Sequence, residues 1–507
     1  MNQLKAGAAL SYLSIALNMV VGLVYTPYLL RMLGQSEYGL YSLAASLIAY
    51  LTVLDLGFGN AIVRYTAKFR TEGKLREQEE MFGMFFLLYI VIGILAVALG
   101  TVLSLNVGRL FDANMTPVEV SRTRTMLWLM TFNLAFTFPM SLWGSIMTAY
   151  ERFVLQRVVS IFRSVLNPVV MLLLLVLGYK AVALVVVTTL FNVVTLLVNW
   201  WYCRRRLLVK VRFGHFNWPF LKEVSVYSFW IFLNVIMDRI YWSTGQFVLG
   251  IYRGSVAISV YAVAIHLQQM FMLFSTAISG VFLPKVTAMV TKGDDFREVS
   301  GLFIRTGRLQ YIVIGFILSS FIVFGRPFIV IWAGPAYEDA YVMALLFLVP
   351  LAIPLIQSLG IIILQARNRM KFRSLLYLCI SFLSLILSVS LARVYGGVGC
   401  AVATALALLL GQGLIMNVYY HRVQHLDILK FWCEILKMSV VPALSVLLGF
   451  WAFGGENSRL YSVPGFLKAV AVFVLVYFIA FWFFGMNREE RRLFVQPLKR
   501  LKALGGR

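Results

Sequence analysis

The sequence has few of the residues from which enzymes build catalytic or metal sites, with only four histidines and four cysteines in 507 residues. The cysteines lack CxxC spacing, which excludes a disulfide scaffold. The Walker A, HExxH, GxSxG and DxDxDG patterns are also absent. Charged residues make up 13% of the chain, against about 25% in soluble globular proteins. We therefore expect a non-enzyme without a soluble domain.

The sequence is instead rich in hydrophobic residues, which make up 61% of the chain. A helix needs roughly 20 apolar residues to cross a bilayer. Runs of this kind recur along the whole chain, and we predict an all-α integral membrane protein with about 14 transmembrane helices. The predicted spans are residues 6–31, 37–63, 81–105, 125–149, 157–178, 181–203, 224–250, 256–283, 309–331, 340–365, 374–393, 397–420, 434–453 and 464–486.

The net charge of +24 is explained by topology. Basic residues are concentrated in alternate loops, at 64–76, 204–212 and 367–373, and in the tail at 488–502. Cytoplasmic loops carry the excess of Lys and Arg, so both termini are predicted to be cytoplasmic in a bacterial inner membrane. The partners expected from this distribution are membrane lipids and not nucleic acid.

An internal repeat divides the chain. Leu17-Asn18 matches Leu233-Asn234, and similar matches continue at a nearly constant offset of about 216 to 220 residues. We predict two pseudo-symmetric six-helix bundles, 1–222 and 223–433, around a central cavity, followed by two extra transmembrane helices and a basic cytoplasmic tail in 434–507. Parallel repeats of this kind are used by transporters that work by alternating access.

Ionisable residues inside predicted spans are costly and therefore candidates for function. Asp55 and Arg64 lie in the second span, nine residues or about 13 Å apart along an ideal helix. That spacing predicts opposite faces, unless Gly57 and Gly59 bend the helix. For Asp55 the alternative is pairing with a neighbouring helix, and for Arg64 it is marking the cytoplasmic boundary.

The seventh span carries a polar stripe at helical spacing, which includes Asn234, Asp238 and Tyr241. Arg239 and Trp242 lie on a neighbouring face. Two adjacent charges are expensive packing devices, which favours a face towards water or substrate over a helix–helix hydrogen-bond network.

Other polar residues follow from the repeat and from helical spacing. Asn18 is the repeat partner of the stripe in span seven, and His266 and Gln269 share a face of span eight. His266 is a candidate proton carrier, with packing as the alternative. Arg31 ends span one, where interface anchoring is the alternative to a binding role.

Three segments have a distinctive pattern: YTPYLLRMLGQSEYGLY at 25–41, LDLGFGNAIVRY at 54–65, and FLPK at 282–285 followed by KGD at 292–294. These segments resemble the polysaccharide flippases of the multidrug/oligosaccharidyl-lipid/polysaccharide exporter superfamily. The resemblance implies a substrate, an O-antigen or exopolysaccharide repeat unit on undecaprenyl pyrophosphate, moved from the cytoplasmic to the periplasmic leaflet.

This resemblance also implies roles for the polar residues. Arginine binds phosphate through its planar fork, so Arg64, Arg239 and Arg31 are predicted to hold the pyrophosphate. Asp55 and Asp238 would hold these arginines or bind a coupling proton or sodium ion. Aromatic rings near span seven (Tyr241, Trp242) would stack on sugars. No other cofactor is expected, and a glycan polymerase/chain-length complex is a predicted partner.

Three other readings fit a chain of this kind. A lipid II flippase would use the same mechanism with a different glycolipid. A drug/cation antiporter of the same superfamily typically has an acidic cavity with a carboxylate in span one and twelve spans, whereas span one here contains no acid. A glycan polymerase or ligase would need a larger aqueous loop than the sequence provides.

Overall fold

The computed structural model describes residues 3–111, 113–214, 216–279, 286, 288–289, 296–367, 369–453 and 458–492. The segments 282–285 and 292–294 and the tail from residue 493, on which parts of the sequence interpretation rest, lie outside these residues. The described chain is helical, as expected where lipid leaves backbone groups no partners except each other.

The helices are α1 (Gln3–Leu51), α2 (Phe58–Thr71), α3 (Leu75–Phe111), α4 (Pro117–Ala149), α5 (Phe153–Val176), α6 (Ala181–Arg205), α7 (Trp218–Tyr252), α8 (Gly254–Ser279), α9 (Phe296–Trp332), α10 (Ala340–Ile356), α11 (Ser358–Ala366), α12 (Met370–Leu408), α13 (Met416–Arg422), α14 (Ile428–Phe453) and α15 (Val463–Ala480). Short 3-10 turns cover Thr52–Asp55, Pro335–Tyr337 and Ser458–Tyr461, and π-helical turns cover Leu409–Ile415 and Phe481–Gly485.

Each predicted span coincides with helical structure over its described residues. Ten described helices are long and apolar enough to cross a bilayer, or eleven if α10 and α11, bent by 43°, form one span. The chain is therefore a multi-pass membrane protein. Two of the ten, Leu13–Thr71 and Met370–Arg422, are 59 and 53 residues long, and each covers two predicted spans. The count of fourteen stays a prediction.

Two glycines explain these merged helices. α1 has 49 residues, about 74 Å of helix, which is more than twice the thickness of a bilayer core of about 30 Å. Gly34 interrupts it with φ 75° and ψ 172°, three residues after the predicted end of the first span at residue 31. Gly396 interrupts α12 in the same way with φ 57°. Positive φ is accessible to glycine without a Cβ clash.

The chain divides into two compact units, Met1–Ala262 with Ser374–Ala403, and Val263–Arg373 with Thr404–Arg507. In the first unit α2, α3 and α4 pack around the buried side chains of Phe82, Phe85 and Tyr89. In the second unit the terminal helices α14 and α15 pack on α9. The boundaries at 222 and 433, which rest on the repeat, stay a prediction.

Candidate functional site

Asp55 lies at a break in the second predicted span. The 3-10 turn that contains it ends at Leu56 and Gly57, which have positive φ values of 52° and 74°. The spacing of an ideal helix between Asp55 and Arg64 therefore does not apply, because the helix is interrupted at the glycine that the sequence analysis identified as a bend. Tyr89 donates a hydrogen bond to Asp55 Oδ1 at 2.9 Å, and the Gly57 backbone N–H also bonds this carboxylate.

Arg64 is exposed on α2, and its guanidinium carbon lies 5.8 Å from the ring centroid of Tyr65. The Tyr65 hydroxyl donates to Glu223 Oε1 on α7 at 2.9 Å. Beside these residues, at the predicted cytoplasmic end of the first unit, is a cleft of about 500 Å³. The cleft is lined by Tyr65, Lys68, Phe69, Lys74, Glu77, Glu80, Met81, Met84, Asn217, Pro219, Phe220 and Glu223.

The loop after α2 contains a further ion pair at this end. Lys74 Nζ lies 2.9 Å from Glu72 Oε2, and the hydrogen bond from this ammonium holds the pKa of the Glu72 carboxyl below its ordinary value. The lining of the cleft thus carries both signs of charge, on Lys68 and Lys74 and on Glu77, Glu80 and Glu223.

On α7, Arg239 is half-buried. Its Nε is buried and has no hydrogen-bond partner among the described residues. The neighbouring Asp238 is exposed, and Asn234 Nδ2 donates to Ser374 Oγ on α12 at 3.3 Å. The predicted pyrophosphate-binding role of Arg239 thus coincides with a guanidinium that has an unsatisfied donor.

The two predicted sugar-stacking residues of α7 differ in how exposed their rings are. Tyr241 is only 2% exposed, because its ring stacks on Tyr377 at 5.8 Å and meets Trp242 edge-on at 4.8 Å. A sugar could reach the Tyr241 ring only after these neighbours moved. Trp242 is half-buried. Stacking on sugars stays a prediction for both residues.

The other predicted residues lie apart from α7. Asn18 and Arg31 are exposed on α1. In the second unit, Gln269 is exposed and the His266 ring stacks on Trp332, with centroids 6.1 Å apart and planes at 8°. This stacking matches the packing alternative for His266, and its proton role stays a prediction.

Arg163 is an intramembrane charge that does not appear among the predicted site residues. It lies on α5 inside the predicted span 157–178, and its Nη1 donates to Asn192 Oδ1 on α6 at 3.1 Å. Its position six residues inside a predicted span was a signal that could have found it. Arg239 was predicted because it lies beside an acid, Asp238.

A second feature that the sequence did not reveal is a polar cluster that we call the outer cluster, formed by Ser36, Glu119 and Ser255. Both serine hydroxyls donate to Glu119 Oε1, at 2.5 Å from Ser36 and 2.7 Å from Ser255. Glu119 also forms a capping box with Thr116 at the start of α4. The cluster joins α1, α4 and α8 at the end of the first unit that topology predicts to be periplasmic.

Close backbone packing accompanies the outer cluster. A Cβ at Gly39 would overlap the backbone carbonyl of Ser255, so α1 and α8 touch without side chains between them. Asn114 Nδ2 donates to the Ile251 carbonyl at 2.6 Å. Arg253 donates to the carbonyl of Arg393, at 2.9 Å, near the kink of α12. These contacts hold neighbouring helix ends together at this end of the unit.

Comparison with known proteins identifies the family. A family model described as "Polysaccharide biosynthesis protein" matches residues 4–290, which is more than half of the chain. The chain belongs to this family. The search of curated proteins found no match to this sequence.

Solved structures show the fold that this family member shares. The lipid II flippase MurJ, in an inward closed conformation, has a TM-score of 0.72 at 15% identity, covering 97% of this chain and 99% of that one. An inward-facing multidrug resistance MATE transporter of the MOP superfamily has a TM-score of 0.63 at 13% identity, covering 81% and 98%. A mutant of the Vibrio cholerae MATE transporter VcmN has 0.57 at 12%, covering 84% and 98%. The predicted superfamily resemblance is confirmed.

The predicted site residues of the first unit include groups that bind charged ligands. Among the described residues, no group of three or more His, Cys, Asp or Glu side chains could hold a metal ion. The first unit offers donors at membrane depth, on Arg163 and Arg239, and a fixed carboxylate at Asp55. Such groups can hold an anion and a coupling cation.

Proposed function

We propose that the protein is a flippase that moves an oligosaccharide linked to undecaprenyl pyrophosphate from the cytoplasmic to the periplasmic leaflet of the inner membrane by alternating access. Membership of the polysaccharide biosynthesis family supports a glycan substrate. The fold shared with MurJ and MATE transporters supports transport. The lipid tail would remain in the bilayer while the polar head crosses the protein.

The observation that carries this proposal is the buried Nε of Arg239 without a hydrogen-bond partner among the described residues. A buried arginine N–H in a membrane span that has no hydrogen-bond acceptor costs roughly several kcal/mol until an acceptor binds. A diphosphate is such a partner, because its oxygens match the planar fork of arginine. Arg64 and Arg31, both exposed, would meet the headgroup before and after it passes Arg239.

Coupling would use the acidic residues. Asp55 is held by Tyr89 and the Gly57 backbone, so its position is defined before any ion binds. We assign to Asp55 or Asp238 the coupling proton or sodium ion. A glycan polymerase/chain-length complex would take the product at the outer leaflet.

A lipid II flippase is the second candidate, favoured by the coverage of 97% of this chain and 99% of MurJ in the structural match. A drug/cation antiporter fits less well, because positively charged drugs would meet arginines at membrane depth. Complementation separates the two flippases: expression of this chain should restore growth of a conditional lipid II flippase mutant only if lipid II is the cargo.

The test uses a deletion strain. We expect deletion to abolish a surface glycan, wild-type protein to restore it, and Arg239→Gln to reduce it strongly at equal protein level. Arg239→Lys should restore part of the export, since lysine keeps the charge without the fork. Arg205→Gln is the matched control, because Arg205 is exposed in the last turn of α6. A deletion strain with every surface glycan unchanged would refute the proposal.

A further inference from the structure

Arg163 is held at membrane depth and not at the membrane surface. It lies about 15 Å along α5 from the start of that helix at Phe153, within the predicted span 157–178. Its acceptor, Asn192, lies midway along the predicted span 181–203 of α6, at 3.1 Å. An arginine near the end of a span normally extends its charged head to the interface. The Arg163 guanidinium instead donates to a residue in the middle of the neighbouring span.

A chain of amide hydrogen bonds fixes this direction. Asn192 Nδ2 donates to Asn133 Oδ1 and to Thr137 Oγ1 on α4, both at 2.8 Å. The Thr137 hydroxyl in turn donates to the Asn133 backbone carbonyl at 2.7 Å. With its amide hydrogens committed to α4, Asn192 can only present its oxygen to Arg163. Networks of this kind orient a charged group before a ligand arrives.

In the part of the chain that the structure describes, the Arg163 guanidinium has no counter-ion. Within the described ranges, no carboxylate forms an ion pair with Arg163, and the bond to Asn192 accounts for one of its five N–H donors. Charges at membrane depth are retained where they serve a substrate or ion pathway. Arg163 therefore offers a fork of free donors to an anion.

Two unsatisfied polar atoms lie on the same helix faces. Asn167 Oδ1, one turn after Arg163 on α5, is buried and has no hydrogen-bond partner among the described residues. Within the same described ranges, Thr189 Oγ1, one turn before Asn192 on α6, is also buried and unpaired. Residues three or four apart share a helix face. Buried polar atoms without partners mark places for water or a ligand. The site thus combines donors for an oxyanion with acceptors for hydroxyl groups.

We propose that Arg163 and Asn167, oriented by Asn192, form a binding site for an oxyanion on the transported glycolipid. Arg163 binds the oxyanion and Asn167 Oδ1 accepts a hydrogen bond from an adjacent hydroxyl. The oxyanion is either the diphosphate or the carboxylate of an acidic sugar. The site rests on the proposed function for the identity of its ligand, and it adds an anion site on α5 to the arginine on α7.

The test measures binding to the full-length protein in nanodiscs by isothermal titration calorimetry. Inorganic pyrophosphate represents the diphosphate, a tetrasaccharide of alternating glucuronate and N-acetylglucosamine represents the acidic sugar, and maltotetraose is the neutral control. The variants are Arg163→Gln, Arg163→Lys and Asn192→Leu. Arg157→Gln is the matched control, because Arg157 is an exposed arginine on the same helix.

We expect the wild type to bind at least one acidic probe and not maltotetraose. Arg163→Gln should weaken that binding by about tenfold to a hundredfold, as expected for loss of a hydrogen-bonded charge. Arg163→Lys and Asn192→Leu should lie between, while Arg157→Gln matches the wild type. Thermal unfolding of each variant is measured in parallel, so a role limited to helix packing would change stability and not affinity. The probe whose binding is lost identifies the source of the oxyanion.

Three results would overturn the site. They are binding of neither acidic probe by the wild type, wild-type affinity in Arg163→Gln, or an equal loss of affinity in Arg157→Gln. A parallel flipping assay with proteoliposomes separates this outcome from failure of the proposed function. A protein that binds the probes through Arg163 but flips no glycolipid would retain the site and lose the function, and a protein that flips without this binding would do the reverse.

Discussion

In the outer cluster, one carboxylate joins three helices. Glu119 accepts hydrogen bonds from Ser36 of α1 and Ser255 of α8 on the same oxygen, at 2.5 Å and 2.7 Å. If transport requires this end of the first unit to open, both bonds must break. We therefore expect Glu119→Gln, which removes the charge and preserves the shape, to favour opening.

The size of the effect follows from these two bonds. A hydrogen bond to a charged group contributes about 1.5–3 kcal/mol and one between neutral groups about 0.5–1.5 kcal/mol, so neutralising the acceptor costs roughly 1 kcal/mol per bond. Glu119 is partly exposed, and solvent screens part of this difference. A net change of about 1–2 kcal/mol corresponds to roughly 5- to 30-fold more of the open conformation.

Cysteine labelling can measure that change. Ser259 is fully buried, one turn after Ser255 on α8, so a cysteine there should react with a membrane-impermeant maleimide only when the outer end opens. The background protein has Cys203, Cys379, Cys400 and Cys433 replaced. We expect Glu119→Gln to raise the labelling rate of Ser259→Cys by about 5- to 30-fold, the calculated change in the open population.

A second cysteine reporter distinguishes opening of the outer end from a general increase in the accessibility of buried residues. Ser381 is also fully buried in the first unit, where its hydroxyl donates to the Tyr377 carbonyl at 2.7 Å, away from the outer cluster. Its cysteine variant should label equally slowly with and without Glu119→Gln. Unchanged labelling at Ser259→Cys, or equal acceleration at both reporters, would show that the outer cluster does not control opening.

Three further predictions test other contacts. Because the Ser36 and Ser255 hydroxyl oxygens lie 3.5 Å apart, cysteines at both positions should form a disulfide on oxidation that stops flipping in proteoliposomes, with recovery on reduction; full flipping by the cross-linked protein would contradict this. Arg308→Leu should destabilise the protein by about 3–5 kcal/mol, since it leaves the buried Glu490 carboxylate unpaired, and adding Glu490→Leu should restore most of the unfolding temperature measured in detergent. Arg239→Leu should leave that temperature unchanged or higher while abolishing glycan export, and a marked loss of stability would instead indicate a structural arginine.

The sequence predicted the helices better than it predicted their interruptions. Apolar runs and the distribution of basic residues locate the spans, because lipid imposes both rules on every membrane helix. The kink at Gly34 was also foreseeable, since the first predicted span ends just before it. The sharp break at Asp55 was less so: two glycines indicated a bend, but only coordinates show Leu56 with φ 52° and the Tyr89 bond that fixes the carboxylate.

The polar contacts were harder to predict because their partners are distant in sequence. Ser36, Glu119 and Ser255 each look like ordinary residues at helix ends, and their joint hydrogen bonds depend on tertiary packing. Asn192 likewise gains meaning only beside Arg163, 29 positions earlier. Tyr241 shows the same dependence on packing, since helical spacing placed it on a predicted polar face while its ring is buried against neighbouring aromatic rings.

The buried and half-buried arginines differ in whether they pair with acids, and this difference supports an anionic cargo. Arg308, at 6% exposure, donates to both Glu434 and Glu490 and is fully neutralised. Arg163 and Arg239, at membrane depth, have no carboxylate in an ion pair with them among the described residues. Arg308 packs between helices, and two acids neutralise it there, because an unpaired buried charge is strongly destabilising. The two arginines without acids are therefore best explained by a partner that comes and goes, and an oxyanion carried on a lipid is a partner of that kind.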